Sequence, residues 1–180
     1  KIALRIRNGY IGLSSALRYY NLTDYEDFTI FVITEDFRKK IDIKGTKYTI
    51  EFIPLGRFFT GFEKKDEIYL SSIEKTLFDC LLKPRLTGVT NITKAFYAAE
   101  IDWHKFISFF ELTKNNSLYQ RTGYLLDIMK KKTKLKVPQF VFEFLLKNVK
   151  NPVKLTPNKA PSKFNKKWLL EDNIGEDKIL

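Results

Sequence analysis

Two groups of residues in this 180-residue chain have the types and spacing to do chemistry. The first is Lys130-Lys131-Lys132-Thr133-Lys134-Leu135-Lys136. Lysine ammoniums at this density suit phosphates, and they hold a nucleic-acid backbone without reading its bases. The run also closes the longest helical pattern, where cations complement the macrodipole. That structural role fits Lys130 and Lys131 well, and Lys132, Lys134 and Lys136 less well. The second group is Glu74, Lys75 and Asp79, an acid–lysine set of the kind metal-dependent nucleases use. A mechanical reading explains the same three with less. Glu74 is the last member of a Ser-x-x-Glu capping box that starts at Ser71, and Lys75–Asp79 is an i,i+4 pair on the narrow polar strip of an otherwise apolar helix, contributing about 0.3 kcal/mol.

Other catalytic signals are thin. His104 is the single histidine and sits beside Trp103 in the first turn of a helical pattern, where a surface or half-buried role is expected. Cys80 is the single cysteine, on an apolar helical face that should raise its pKa and leave it inert. One His and one Cys do not make the usual N/S metal site, and the scattered glycines form no phosphate loop. No cofactor is expected, and the chain reads as no enzyme. A net charge of +11 moves weight towards an acidic partner, DNA or RNA first, although an AT-rich genome or a thermophilic origin would also enrich lysine. No disulfide can form within the chain, no leader-like segment opens it, and no apolar run approaches the ~18 residues of a membrane helix. A soluble, cytoplasmic protein is expected, with no membrane contact.

These groups need elements to position them. The stretch from Leu70 to Pro84 predicts a helix apolar nearly all round through Ile73, Leu77, Phe78, Cys80, Leu81 and Leu82, ended by Pro84, and hence a central, buried one. Ahead of it, Lys1 to Asn8 alternates basic and apolar residues. Leu13, Ala16, Leu17 and Tyr20 predict a short helix capped by Ser14. Phe28–Thr34 is a two-faced apolar strand for the middle of a sheet, and Arg38–Ile43 with Tyr48–Ile53 form a hairpin about Lys44-Gly45. Downstream, helices are expected around Ile92–Ala99, after an Asp102 cap, over Ser117–Lys131, and behind Pro138. The fold class is α+β: a small, mostly antiparallel sheet from the N-terminal half packed on helices of the C-terminal half. Residues 1–149 are expected to form one domain. Residues 150–180, with Pro152, Pro157 and Pro161, read as a basic extended tail docked on the same domain through Leu155, Trp168, Leu169 and Leu170. Lys159, Lys163, Lys166 and Lys167 beside Trp168 suggest a second basic group with a stacking surface.

Four blocks in order resemble the C-terminal domain of AbiEi-type antitoxins, the transcriptional-regulator half of type IV toxin–antitoxin and phage-defence systems. The first runs from Tyr10 through Ser14 and Ser15 to Tyr20, and the second contains Phe59-Thr60-Gly61-Phe62. The third is Ile68 to Asp79, with Glu74, Lys75 and Asp79, and the fourth is Tyr119 to Leu126, with Arg121, Gly123 and Tyr124. The likeness spans about residues 8–130. Ser72 stands where the family commonly has Pro, and Asp127 lies beyond the family's Glu. Such a resemblance implies an antitoxicity and dimer-assisting domain. In the family this domain follows a promoter-binding winged helix-turn-helix, for which nothing precedes Lys1; here that module would be absent, cleaved or supplied separately. It further implies a nucleotidyltransferase-like toxin as functional partner, with or without direct contact, and a homodimer. Read mechanically, Tyr20 and Tyr124 bring hydroxyls to the rim of the core, Gly123 permits close approach of two elements, and Arg57 and Arg121 find Glu74 and Asp79 as partners. Alternative functions are a divergent metal-dependent nuclease built on Glu74, Lys75 and Asp79, or a nonspecific nucleic-acid-binding protein.

Overall fold

The computed structural model describes residues 8–157 and 161–179, so the alternating residues at positions 1–7 and Lys159 lie outside the described residues. The chain divides into two compact units, Lys1–Thr87 and Gly88–Leu180. The expected boundary near 149 is therefore replaced by one between Thr87 and Gly88, and the segment after Lys150 belongs to the second unit.

The first unit is a six-stranded mixed sheet with its own helices. Its strands are β1 (Tyr10–Ile11), β2 (Thr29–Thr34), β3 (Lys39–Asp42), β4 (Thr49–Pro54), β5 (Phe62–Lys65) and β6 (Ile68–Ser71), in the order β3-β4-β2-β1-β6-β5. β2 is buried on both faces, with Phe31, Val32 and Ile33 nearly inaccessible, as a two-faced apolar run requires. On one face Val32, Ile50 and Phe52 form a cluster edged by Ile30, Phe37, Ile41 and Ile43. The hairpin β3–β4 is antiparallel as expected, but β2 pairs β4 in parallel from Thr29↔Thr49 to Thr34↔Pro54, and β1 pairs β6 in parallel. The expectation of a mostly antiparallel sheet is corrected to a mixed one. The cause is strand order: β3 goes to the edge and β4 returns into the gap beside β2, so two strands of the same direction become neighbours.

Helix α1 (Leu13–Tyr19) lies against β2 and α2 (Ile73–Leu82), and a short α3 (Pro84–Thr87) follows. α2 is the buried axis the apolar pattern predicts: every residue from Glu74 to Leu81 is buried. Its cap is one residue later than expected. Ser72, not Ser71, accepts from the Lys75 amide at 3.3 Å, and its hydroxyl donates to Glu74 at 3.0 Å. Ser71 instead ties β6 to its neighbours through Ile11 and Thr76. In α1, Gly12 holds the N-cap position, because Ser14 is already inside the helix and donates to Asp27 at 3.1 Å.

The second unit has four helices among the described residues: α4 (Val89–Ala98), α5 (Trp103–Ser108), α6 (Asn116–Lys132) and α7 (Gln139–Leu146). Asp102 caps α5 by accepting from the His104 and Lys105 amides. α6 is the spine. The C-terminal segment is not an extended tail but a three-stranded sheet, β7 (Val153–Lys154), β8 (Lys163–Asn165) and β9 (Leu170–Asp172), ordered β7-β9-β8. Leu155, Trp168 and Leu170 are buried, while Leu169 is half-buried.

Candidate nucleic-acid interface

The lysine run leaves α6 at its C-terminal end. Lys130, Lys131 and Lys132 occupy the last turn, and Thr133 ends the helix by bonding back to the Met129 carbonyl at 2.6 Å. Lys134 and Lys136 follow in chain that is neither helix nor strand. The five lysine side chains are exposed, while Val137 turns inward. Macrodipole complementation fixes only the in-helix members, so Lys134 and Lys136 have no helical reason to be cationic. Among the described residues, the carboxylates within ion-pair distance of the run belong to Asp177 at 2.9 Å and Glu176 at 4.0 Å, both on Lys132. That ion pair also holds the Asp177 carboxyl below its ordinary range. Lys130 lies over the Phe142 ring at 5.1 Å.

Open grooves flank the run. One, of about 580 Å³, is lined by Thr93, Lys94 and Tyr97 of α4 together with Lys131, Lys132 and Lys134. The next, of about 450 Å³, adds Trp103 and Lys136 and shares Tyr97 and Lys134 with the first. Lys94 and Tyr97 are one turn apart on α4 and therefore on one face. Tyr97 is 55% exposed. Trp103 is half-buried, set edge-on to Phe106 at 5.8 Å. These two aromatics escape a reading of the run by itself; the signal for Tyr97 was its place opposite the inward Ile92, Ala95 and Phe96 of an amphipathic helix. The aromatic partner expected in the tail is not there. Trp168 is fully buried against α6 and offers no stacking surface.

The narrow polar strip of Glu74, Lys75 and Asp79 is buried. Lys75 and Asp79 are completely buried and joined directly, ammonium to carboxylate. The third partner is Tyr10, whose hydroxyl accepts from Lys75 at 3.0 Å and donates to Asp79 at 3.0 Å. Burial pushes the Asp79 carboxyl up to about 6 against the opposing pull of Lys75, and pushes the Lys75 ammonium down. Burial likewise drives the Cys80 thiol up to about 12, where it is inert. The Tyr10 ring is stacked by Phe62 at 4.7 Å and Phe59 at 5.5 Å. Among the described residues, no group of three or more His, Cys, Asp or Glu gathers to hold a metal ion.

The remaining motif positions are packing devices. Ser15 accepts from the Phe31 amide at 2.9 Å, and Tyr20 donates to the Ser71 carbonyl at 2.7 Å. Arg57 lies over Phe58 at 5.0 Å. Arg121, expected to meet Glu74 or Asp79, donates to the Lys154 carbonyl at 2.9 Å, because β7 lies along α6. Tyr124 donates to Asp172 at 2.8 Å, and burial with that carboxylate raises its hydroxyl pKa. Gly123 faces the Trp168 ring. His104 is exposed and stacks on Phe140 at 4.4 Å.

No protein-family model and no curated protein matches the chain. Among solved structures, the crystal structure of the RV2827C protein from Mycobacterium tuberculosis is similar to it, with a TM-score of 0.62 at 14% identity over 91% of this chain. This chain spans 62% of that one, and at such identity the likeness concerns the fold alone. No described helix is long and apolar enough to cross a membrane.

Proposed function

We propose that the chain is a non-enzymatic, cytoplasmic regulatory domain of the AbiEi antitoxin type, which counteracts a nucleotidyltransferase-like toxin and assists promoter repression. The observation that carries this reading is the exposed lysine end of α6, set in an open groove with Lys94 and Tyr97. Phosphate is the ligand such a surface suits, and neutralising it releases counterions. The resemblance supplies the rest: Tyr10, Lys75 and Asp79 meet in one buried cluster against which the half-buried Phe59 stacks, so three of its four blocks come together there, and the fourth block seats the C-terminal sheet. A homodimer belongs to the same proposal.

The nuclease alternative is weakened by geometry. Lys75 and Asp79 have no exposed surface through which to meet a phosphodiester, and their charges answer each other. The nonspecific nucleic-acid-binding alternative shares the lysine surface and differs in having no toxin to oppose.

Co-expression with a nucleotidyltransferase-like toxin tests the proposal, with survival as the readout. The chain restores growth, and a version with the five lysines of the run changed to Gln restores less while remaining folded by circular dichroism. No rescue by the unaltered chain overturns the antitoxin reading. Full rescue by the neutralised version removes nucleic-acid contact from the mechanism.

A further inference from the structure

We propose that the groove between α4 and the end of α6 takes single-stranded nucleic acid, with an unpaired base on the Tyr97 ring and phosphates on Lys131 and Lys134. This rests on the reading of the lysine surface given above and adds the form of its ligand. Lysines alone serve single strands and duplexes alike, because both present phosphates. The discriminating feature is the aromatic. A duplex keeps its base faces stacked inside, whereas a single strand offers them to exposed rings that interrupt a cationic path. Tyr97 is 55% exposed and lines both grooves, as does Lys134, so the two grooves share one aromatic and one cation at their junction. Trp103 and Lys136 repeat the pairing in the second groove. Trp103 is held edge-on to Phe106 and near-parallel to Phe96 at 6.4 Å, so its ring is fixed before any ligand arrives. Lys94, one turn from Tyr97 on α4, puts a cation on the opposite wall.

Fluorescence anisotropy with a labelled RNA single strand of about 12 nucleotides, the same sequence as DNA, and its duplex tests the assignment at about 50 mM salt. Single strands bind more tightly than the duplex. Tyr97→Ala weakens single-strand binding by roughly 5- to 100-fold and leaves duplex binding unchanged, while Tyr97→Phe, which keeps the ring, behaves as the parent. Comparison of the RNA and DNA arms tells whether the sugar is read. Equal binding of single strand and duplex, or indifference to Tyr97→Ala, overturns the single-strand inference and leaves a phosphate-contacting surface standing. Absence of binding to any of the three probes overturns both the single-strand inference and the phosphate-contacting surface.

Discussion

Gly123 lies so close to Trp168 that a Cβ built on it would come within 2.1 Å of two carbons of the indole ring. The indole N–H donates to Asp127 at 2.6 Å, one turn further along α6, and Gln120 donates to the Trp168 carbonyl at 2.8 Å. Three residues of α6 thus grip one tryptophan, and the missing side chain at Gly123 makes the space for it.

Gly123→Ala is therefore expected to destabilise the protein by about 1–3 kcal/mol or more, although Ala favours helix. Denaturant unfolding measures the loss, and a red shift of tryptophan emission reports the expelled ring. In a Trp168→Leu background the same substitution should cost less, since the two residues share one contact. Equal cost in both backgrounds would contradict this account of the glycine.

Lys75 and Asp79 are stable only as a pair. Lys75→Met or Asp79→Leu alone leaves a buried charge without its counterpart and should cost about 3–5 kcal/mol, whereas the double substitution should come close to the parent. A double-mutant cycle by denaturant unfolding checks this. Additive losses would mean that solvent reaches the pair.

Asp79 also gives stability a pH dependence. Its folded pKa, about 6, lies above the ordinary 3.8, so the folded state holds the proton where the unfolded chain has released it. The contribution of this group is greatest below about pH 4 and falls as pH rises towards about 6. The lowered Lys75 works with the opposite sign at higher pH. The measurement is the slope of unfolding free energy against pH in Asp79→Asn relative to the parent; the substituted protein should lack the fall, and parallel curves would refute it.

Much of the fold was legible. An apolar surround marked α2 as buried, alternation and two-faced apolarity placed β2 and the β3–β4 hairpin, and Asp102 announced its helix. What was not legible shares a cause. An i,i+4 Lys–Asp pair has the same spacing on a solvated strip as in a core, and only Tyr10, 65 residues before Lys75, shows which holds. Ser71 and Ser72 both offer a hydroxyl, so the Ser-x-x-Glu count fell one residue short. Parallel pairing depends on spatial order, which neighbouring strands in sequence do not reveal. Gly123 in mid-helix did signal close approach, but not that Trp168 would fill the space. For the site, the lysines were visible by themselves, whereas Tyr97 and Trp103 reach them only through tertiary packing.

The acidic turn at the C-terminal end restrains the lysine run. Asp177 is fully exposed and holds Lys132 at 2.9 Å. Asp177→Asn with Glu176→Gln should release Lys132 and tighten nucleic-acid binding by a few-fold at low salt, with the difference fading at high salt. Anisotropy titrations at two salt concentrations decide it. Unchanged affinity would place Lys132 outside the contact surface.

The most direct measurement is the salt dependence of nucleic-acid affinity for the parent and for the combined Lys131→Gln, Lys134→Gln and Lys136→Gln protein. Each phosphate neutralised on a single strand contributes about −0.7 to the slope of log affinity against log salt. If the run holds the backbone, the triple substitution lowers affinity and flattens the slope by about 2. A slope identical in both proteins would contradict the account and return the lysines to the role of a solvated helix end.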